Sequence, residues 1–233
     1  MPSAPVSRVR FELYLITDRH LVGSRDLVKV CDAVLAALAS DPSLVPAALQ
    51  LREKDLEGRV LYQLATSLKP ICARHRAPLI INDRIDVALA VEADGVHLPA
   101  ESITVTEARG ALGPSRLIGV STHSAADVEA ASAAGADFAV FGPVWPPLSK
   151  TGYGPARGTE ELGAACRTAS GMPVFALGGV TAERAAELSI GRAAAYARAG
   201  YAAGVAVIGA VFGADDPVAA ALKLARAIRR APA

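Results

Sequence analysis

The sequence predicts the α/β class and, within it, a single (β/α)8 TIM barrel, on three observations. Eight short apolar runs rich in Val, Ile, Leu and Phe alternate with longer amphipathic or Ala-rich stretches, the pattern of parallel βα units rather than of hairpins. The chain has 233 residues, 52% of them hydrophobic, which is enough for one buried core and close to the usual length of such a barrel. No linker interrupts the alternation, and eight strands suit a closed barrel better than an open doubly wound sheet, which more often has fewer.

Taken in order, strands are expected at residues 11–17, 47–51, 78–81, 95–98, 117–121, 137–141, 173–177 and 204–208. Helices are expected between them at 26–39, 58–74, 85–91, 104–111, 125–134, 159–168 and 182–199, and a helix at 218–230 closes the series. Residues 1–10, with Pro2, Ser3 and Pro5, read as a short disordered lead-in, so the barrel domain is expected over 11–233. The Pro- and Gly-rich stretch 142–158 follows the sixth strand, where a barrel carries a functional loop. The stretch 181–203 is long and Ala-rich, with Gly191 placed to divide its helix, and reads as a local insertion.

Composition excludes several function classes. With 24 Lys and Arg against 23 Asp and Glu, the net charge of +1 offers no broad field for nucleic acid or an anionic membrane, so any anion must be bound locally. Cys31, Cys72 and Cys166 lie far apart without CxxC spacing, which argues against a disulfide framework or a zinc site and fits a reducing cytoplasm. The most membrane-like stretch, 199–214, is shorter than the roughly 18 to 20 apolar residues a span requires and is broken by glycines. No membrane or nucleic-acid partner is expected, and self-association as a homodimer stays open.

Polar chemistry gathers at the ends of the expected strands. In the second, alternation puts Gln50, Arg52 and Lys54 on one side and Leu49 and Leu51 on the other. Cations turned toward a barrel interior need an anion there, phosphate or pyrophosphate above all; the competing reading is a surface pair of Arg52 with Glu53 or Asp55. The third strand opens into Asn82 and Asp83, and Asp83 suits either Mg²⁺, a hard cation that often bridges to substrate phosphates, or the N-cap of the next helix. His97 and His123 follow the fourth and fifth strands and are candidates for proton transfer or for structural hydrogen bonding. Ser149 and Lys150 sit in the Gly-rich sixth loop, a composition that suits a lid over an anionic substrate. Gly178 and Gly179 after the seventh strand, with Ile208 and Gly209 after the eighth, occupy the place where many barrels of this kind bind phosphate; tight packing turns are the alternative.

Gln-Leu-Arg-Glu-Lys at 50–54, Asn-Asp-Arg at 82–84, Ala-Asp-Gly-Val-His-Leu at 93–98, Gly-Val-Ser-Thr-His at 119–123 and Phe-Gly-Pro-Val at 141–144 together resemble the thiamine-phosphate synthase and thiazole tautomerase family, in its order and over nearly the whole chain. The resemblance implies a cytoplasmic transferase of thiamine biosynthesis that joins hydroxymethylpyrimidine diphosphate to a thiazole phosphate and releases pyrophosphate. It implies that Gln50, Arg52, Lys54, Asn82, Ser121 and Lys150 hold the diphosphate substrate and that Asp83 binds Mg²⁺. Gly179, Ile208 and Gly209 would offer main-chain contacts to the thiazole phosphate, with Ser149 helping from the loop. The chain departs from the synthase pattern at Ser102, where a second metal-binding Asp is usual and Glu101 is the neighbouring substitute, and in the lid, which reads Pro146-Pro147-Leu148-Ser149-Lys150. Two alternatives follow: a thiazole tautomerase using His123 as acid and base, or a barrel that binds phosphate ligands without turnover.

Overall fold

Eight parallel strands pair in sequence order, and the last pairs with the first, so the sheet closes into a barrel. The computed structural model describes residues 7–146, 155–188, 190 and 200–230. The strands are β1 (Leu13–Ile16), β2 (Ala47–Leu51), β3 (Leu79–Asn82), β4 (Gly95–Leu98), β5 (Leu117–Thr122), β6 (Phe138–Phe141), β7 (Val174–Leu177) and β8 (Gly204–Val207). The helices are α1 (Leu27–Ala39), α2 (Gly58–Arg74), α3 (Ile85–Ala90), α4 (Val105–Leu112), α5 (Ala125–Ala133), α6 (Gly158–Thr168), α7 (Ala182–Glu187), α8 (Gly209–Phe212) and α9 (Pro217–Arg230).

Two cores follow from the two periodicities. Alternate strand residues such as Leu13, Leu15, Leu49, Leu51, Leu79 and Ile81 face outward into one large cluster with the helices. In α2, Leu61, Ala65, Leu68, Ile71 and Cys72 form the single apolar stripe that meets them. The other strand residues turn inward, where Phe11, Tyr14, Phe138 and Phe175 close the end at which the strands begin. Phe11 stacks on Phe175 with centroids 5.1 Å apart and meets Phe138 edge-on at 5.4 Å, an arrangement aromatic quadrupoles favour. That plug leaves the opposite end, where the strands finish, for polar side chains.

The structure differs from the expected elements in instructive places. β1 is confined to Leu13–Ile16, because Phe11 joins the plug and Thr17 turns its buried hydroxyl to the amide of Arg52. The helix expected over 182–199 ends at Glu187: Leu188 is extended, Leu188 and Ile190 are both buried, and Ile190 bridges Ala202 in parallel. Two apolar residues two positions apart both enter the core, one extended and the other in a β-bridge, which is a strand periodicity rather than a helical one. Residues 189 and 191–199, including Gly191, lie outside the described residues. The four-residue α8 was not expected. Of the expected lead-in, 1–6 lie outside the described residues, while Arg8 pairs with Asp137 and Val9 packs against the inner core. Cys31, Cys72 and Cys166 are buried free thiols, and no helix among the described residues is long and apolar enough to cross a membrane.

Candidate functional site

At the C-terminal end of the barrel, β2 to β5 contribute a band of inward polar side chains. Gln50 is 1% exposed and its amide nitrogen donates to Asn82 Oδ1 at 3.1 Å. Asn82 stands opposite His97 in the sheet register, and His97 Nε2 lies 3.0 Å from Ser121 Oγ. Burial first, and the nearby Arg52 charge second, lower the His97 pKa to about 3, so the ring is neutral at ordinary pH. Across the mouth, Leu177 at the end of β7 and Ile208 just after β8 are partly buried apolar residues packed on the inner core. One half of the mouth is therefore polar and the other apolar.

Arg52 is half-buried in the polar half, and no carboxylate among the described residues pairs with it or with the exposed Lys54. The alternative surface pair is already taken by another arginine. The Arg19 amide donates to both Glu53 oxygens at 3.2 and 3.0 Å, and its guanidinium meets Glu53 and Asp55, which His20 also contacts. Arg19 and His20 together hold the Asp55 carboxyl far below its usual range. Thr17 accepts the Arg52 amide at 2.9 Å and so fixes the backbone from which that side chain projects.

Asp83 adopts the left-handed region with φ 65°, its amide bonded to the His97 carbonyl at 2.9 Å. It does not cap α3: Arg84 holds that position, without a side-chain cap bond. Ser102 Oγ donates to Asp83 Oδ1 at 2.6 Å, whereas Glu101 is exposed and forms no hydrogen bond to Asp83 among the described residues. The structure thus brings Ser102, and not Glu101, to the candidate metal carboxylate. His123 is exposed on the rim; its Nδ1 lies 2.6 Å from the Gly142 carbonyl, so Nδ1–H donates.

The glycine turn after β7 has a packing reason. Gly178 and Gly179 have φ 96° and 60°, and a Cβ on them would come within 2.6 Å of Pro143 Cβ and 2.4 Å of the Pro146 carbonyl oxygen. The chain after β6 runs against this turn, with Val144 and Trp145 amides donating to Leu177 and Gly178 carbonyls at 2.7 and 3.1 Å. Close approach of backbone to backbone accounts for glycine at both positions. On the neighbouring strand, Ile208 and Gly209 open α8. Ser149 and Lys150 lie outside the described residues.

Sequence reasoning missed several residues that build this end. Besides Thr17, Arg184 donates to the Gly179 carbonyl and lies over the Trp145 ring, 5.6 Å from its centroid. Arg25 donates to the carbonyls of Val22, Ala214, Asp215 and Phe212, tying the loop after β1 to the end of α8. None carries a local motif; only the run of buried or glycine positions beside them hints at a contact. A separate open groove of about 790 Å³ between the start of α1 and α2 is lined by Arg19, Ser24, Asp26, Leu56, Val60 and Gln63 among others, and it contains none of Gln50, Arg52, Asn82, Asp83, His97 and Ser121. Convergence of chemistry, not groove size, marks the barrel mouth as the candidate site.

Residues 13–211 match the family model described as Thiamine monophosphate synthase. The thiamine-phosphate synthase of Roseiflexus castenholzii is 39% identical over 208 residues, covering 89% of this chain and 84% of that protein. The thiamine-phosphate synthase of Xanthobacter autotrophicus is 38% identical over 216 residues, covering 93% and 94%. Among solved structures, thiamine phosphate pyrophosphorylase from Pyrococcus furiosus superposes with a TM-score of 0.75 at 30% identity, covering 94% of this chain and 96% of that one. A 3-hexulose-6-phosphate synthase, at 19% identity and TM-score 0.59, shares the fold alone.

Proposed function

The chain belongs to the thiamine monophosphate synthase family, and from that premise we propose that it joins hydroxymethylpyrimidine diphosphate to a thiazole phosphate, releasing pyrophosphate and forming thiamine phosphate. The observation that carries the reading is Arg52: a half-buried cation at the barrel mouth, beside a neutral histidine and without a carboxylate partner among the described residues. Such a group is matched by an anion brought from outside.

In the reaction, the thiazole nitrogen forms a bond to the methylene carbon of the pyrimidine while the bond from that carbon to the diphosphate oxygen breaks. The leaving pyrophosphate takes the electron pair, and the thiazole becomes a thiazolium. No side-chain nucleophile is required. Arg52 and Lys54 offset the charge that develops on the leaving group, and the family resemblance assigns Lys150 the same task. Gln50, Asn82 and Ser121 orient the pyrimidine diphosphate in the polar half, while Gly178, Gly179, Ile208 and Gly209 serve the thiazole phosphate on the other side, a task the family resemblance extends to Ser149.

The donor set fits Mg²⁺ in one respect: Asp83 is a hard oxygen ligand at the mouth, its orientation held by its own amide and by Ser102. A single carboxylate suffices where substrate phosphates complete the shell, and a bound Mg²⁺ would help neutralise the leaving diphosphate. The reading includes a cytoplasmic setting, which the three free buried thiols favour.

The test is product formation from both purified substrates, with and without Mg²⁺. Thiamine phosphate and pyrophosphate should appear together and only with the metal; no product under any condition rejects the reading. Arg52→Gln should lower kcat by roughly 10²-fold or more, the usual cost of removing one group aimed at developing charge. His123, whose Nε2 makes no hydrogen bond among the described residues, gives the tautomerase alternative its own check. Isomerisation of a thiazole phosphate carboxylate that is lost in His123→Ala and survives in Asp83→Ala would favour it.

A further inference from the structure

We infer that His97 is a positioning residue that fixes the Ser121 hydroxyl as a hydrogen-bond donor to an acceptor atom of the bound substrate; the identity of that substrate rests on the reading above. His97 is 3% exposed, with Nε2 3.0 Å from Ser121 Oγ. Among the described residues its Nδ1 is buried without a hydrogen-bond partner, and so is the hydroxyl of Tyr14, whose ring centroid lies 5.8 Å from that of His97.

The pair can share hydrogens in two ways. If Ser121 donated to Nε2, the ring hydrogen would sit on Nδ1 and bury a donor with no acceptor, the rarer and costlier kind of orphan. If Nε2–H donates to Ser121 Oγ, Nδ1 keeps only a lone pair, which is tolerated better. The second arrangement removes Ser121's own hydrogen from any bond to His97. Ser121 is partly exposed at the mouth, one step along β5 from Val120 and directly across from Val140, so its hydrogen turns toward the ligand. It then selects a lone pair: a ring nitrogen of the pyrimidine or an oxygen of the diphosphate, and not an amino group.

Long-range ¹H–¹⁵N spectra of the histidine-labelled protein at neutral pH should show His97 with hydrogen on Nε2; hydrogen on Nδ1 overturns the inference. This measurement stands whether or not the protein turns over, so a wild-type enzyme without product would reject the functional reading alone. His97→Leu removes the donor, while His97→Gln returns an amide N–H near the Nε2 position. With both variants folded by circular dichroism, His97→Leu should lose up to roughly 10²-fold in kcat, as expected for a misplaced orienting group, and His97→Gln should recover most of that loss. Equal loss in both, or loss in neither, overturns the positioning role. Calorimetry with inorganic pyrophosphate and with the pyrimidine alcohol then locates the acceptor. Weaker pyrophosphate binding in His97→Leu assigns it to the diphosphate, weaker alcohol binding assigns it to the ring, and unchanged binding of both counts against the inference.

Discussion

Asp83 illustrates how a single residue carries both conformation and chemistry. Its φ of 65° is a region that Asp and Asn enter more readily than other side chains with a Cβ. Asp83→Asn should therefore keep stability within about 0.5 kcal/mol, as substitutions without a packing change usually do, while abolishing the Mg²⁺ dependence of turnover. Denaturant unfolding beside a metal titration would check both halves. His97 makes a prediction about pH. The unfolded chain takes up a proton as pH falls below the ordinary histidine value of 6.5, but the folded chain does not until about 3, so stability falls with falling pH across that window. The slope approaches about 1.4 kcal/mol per pH unit. His97→Gln lacks it, so the stability advantage of the wild type over the variant should shrink between pH 6.5 and 5 in urea melts. A constant difference would mean that His97 is not a buried neutral base.

At the scale of elements, β2, β4 and α2 fall at the residues their patterns predict, 47–51, 95–98 and 58–74. Each is a regular run whose burial follows its own period, so local information suffices. The start of the chain leaving β6 is different, because Val144 and Trp145 are held by the turn after β7, more than thirty residues later. Gly178→Ala should cost roughly 1–3 kcal/mol from the positive φ, with more from contact with Pro143, and should raise the KM for the thiazole phosphate above that for the diphosphate. Chemical denaturation and two-substrate kinetics read the two effects separately. The end of α7 at Glu187 belongs to the same class: composition favours a continuing helix, but burial of extended Leu188 and of Ile190, which bridges Ala202, overrides propensity.

The whole molecule is a barrel plugged by aromatic rings at one end and divided into polar and apolar halves at the other. The plug gives closure its cooperativity: Phe138 is fully buried and meets Phe11, Tyr14 and Phe175. Phe138→Ala should destabilise the domain by about 3–5 kcal/mol, the range for deleting a buried ring, seen as a lower midpoint in a single unfolding transition. A change below about 1 kcal/mol would show that the interior collapses around the gap. From the sequence alone came the barrel class, the order of its units and the placing of Gln50, Arg52, Asn82, Asp83 and Ser121 at strand ends, because strand and helix periods are written in neighbouring residues. Only the closed structure decided that Arg19 rather than Arg52 neutralises Glu53 and Asp55, that Ser102 rather than Glu101 meets Asp83, and that two glycines serve the chain leaving β6. Those choices depend on which distant side chains barrel closure brings within hydrogen-bond reach, and no local period encodes them.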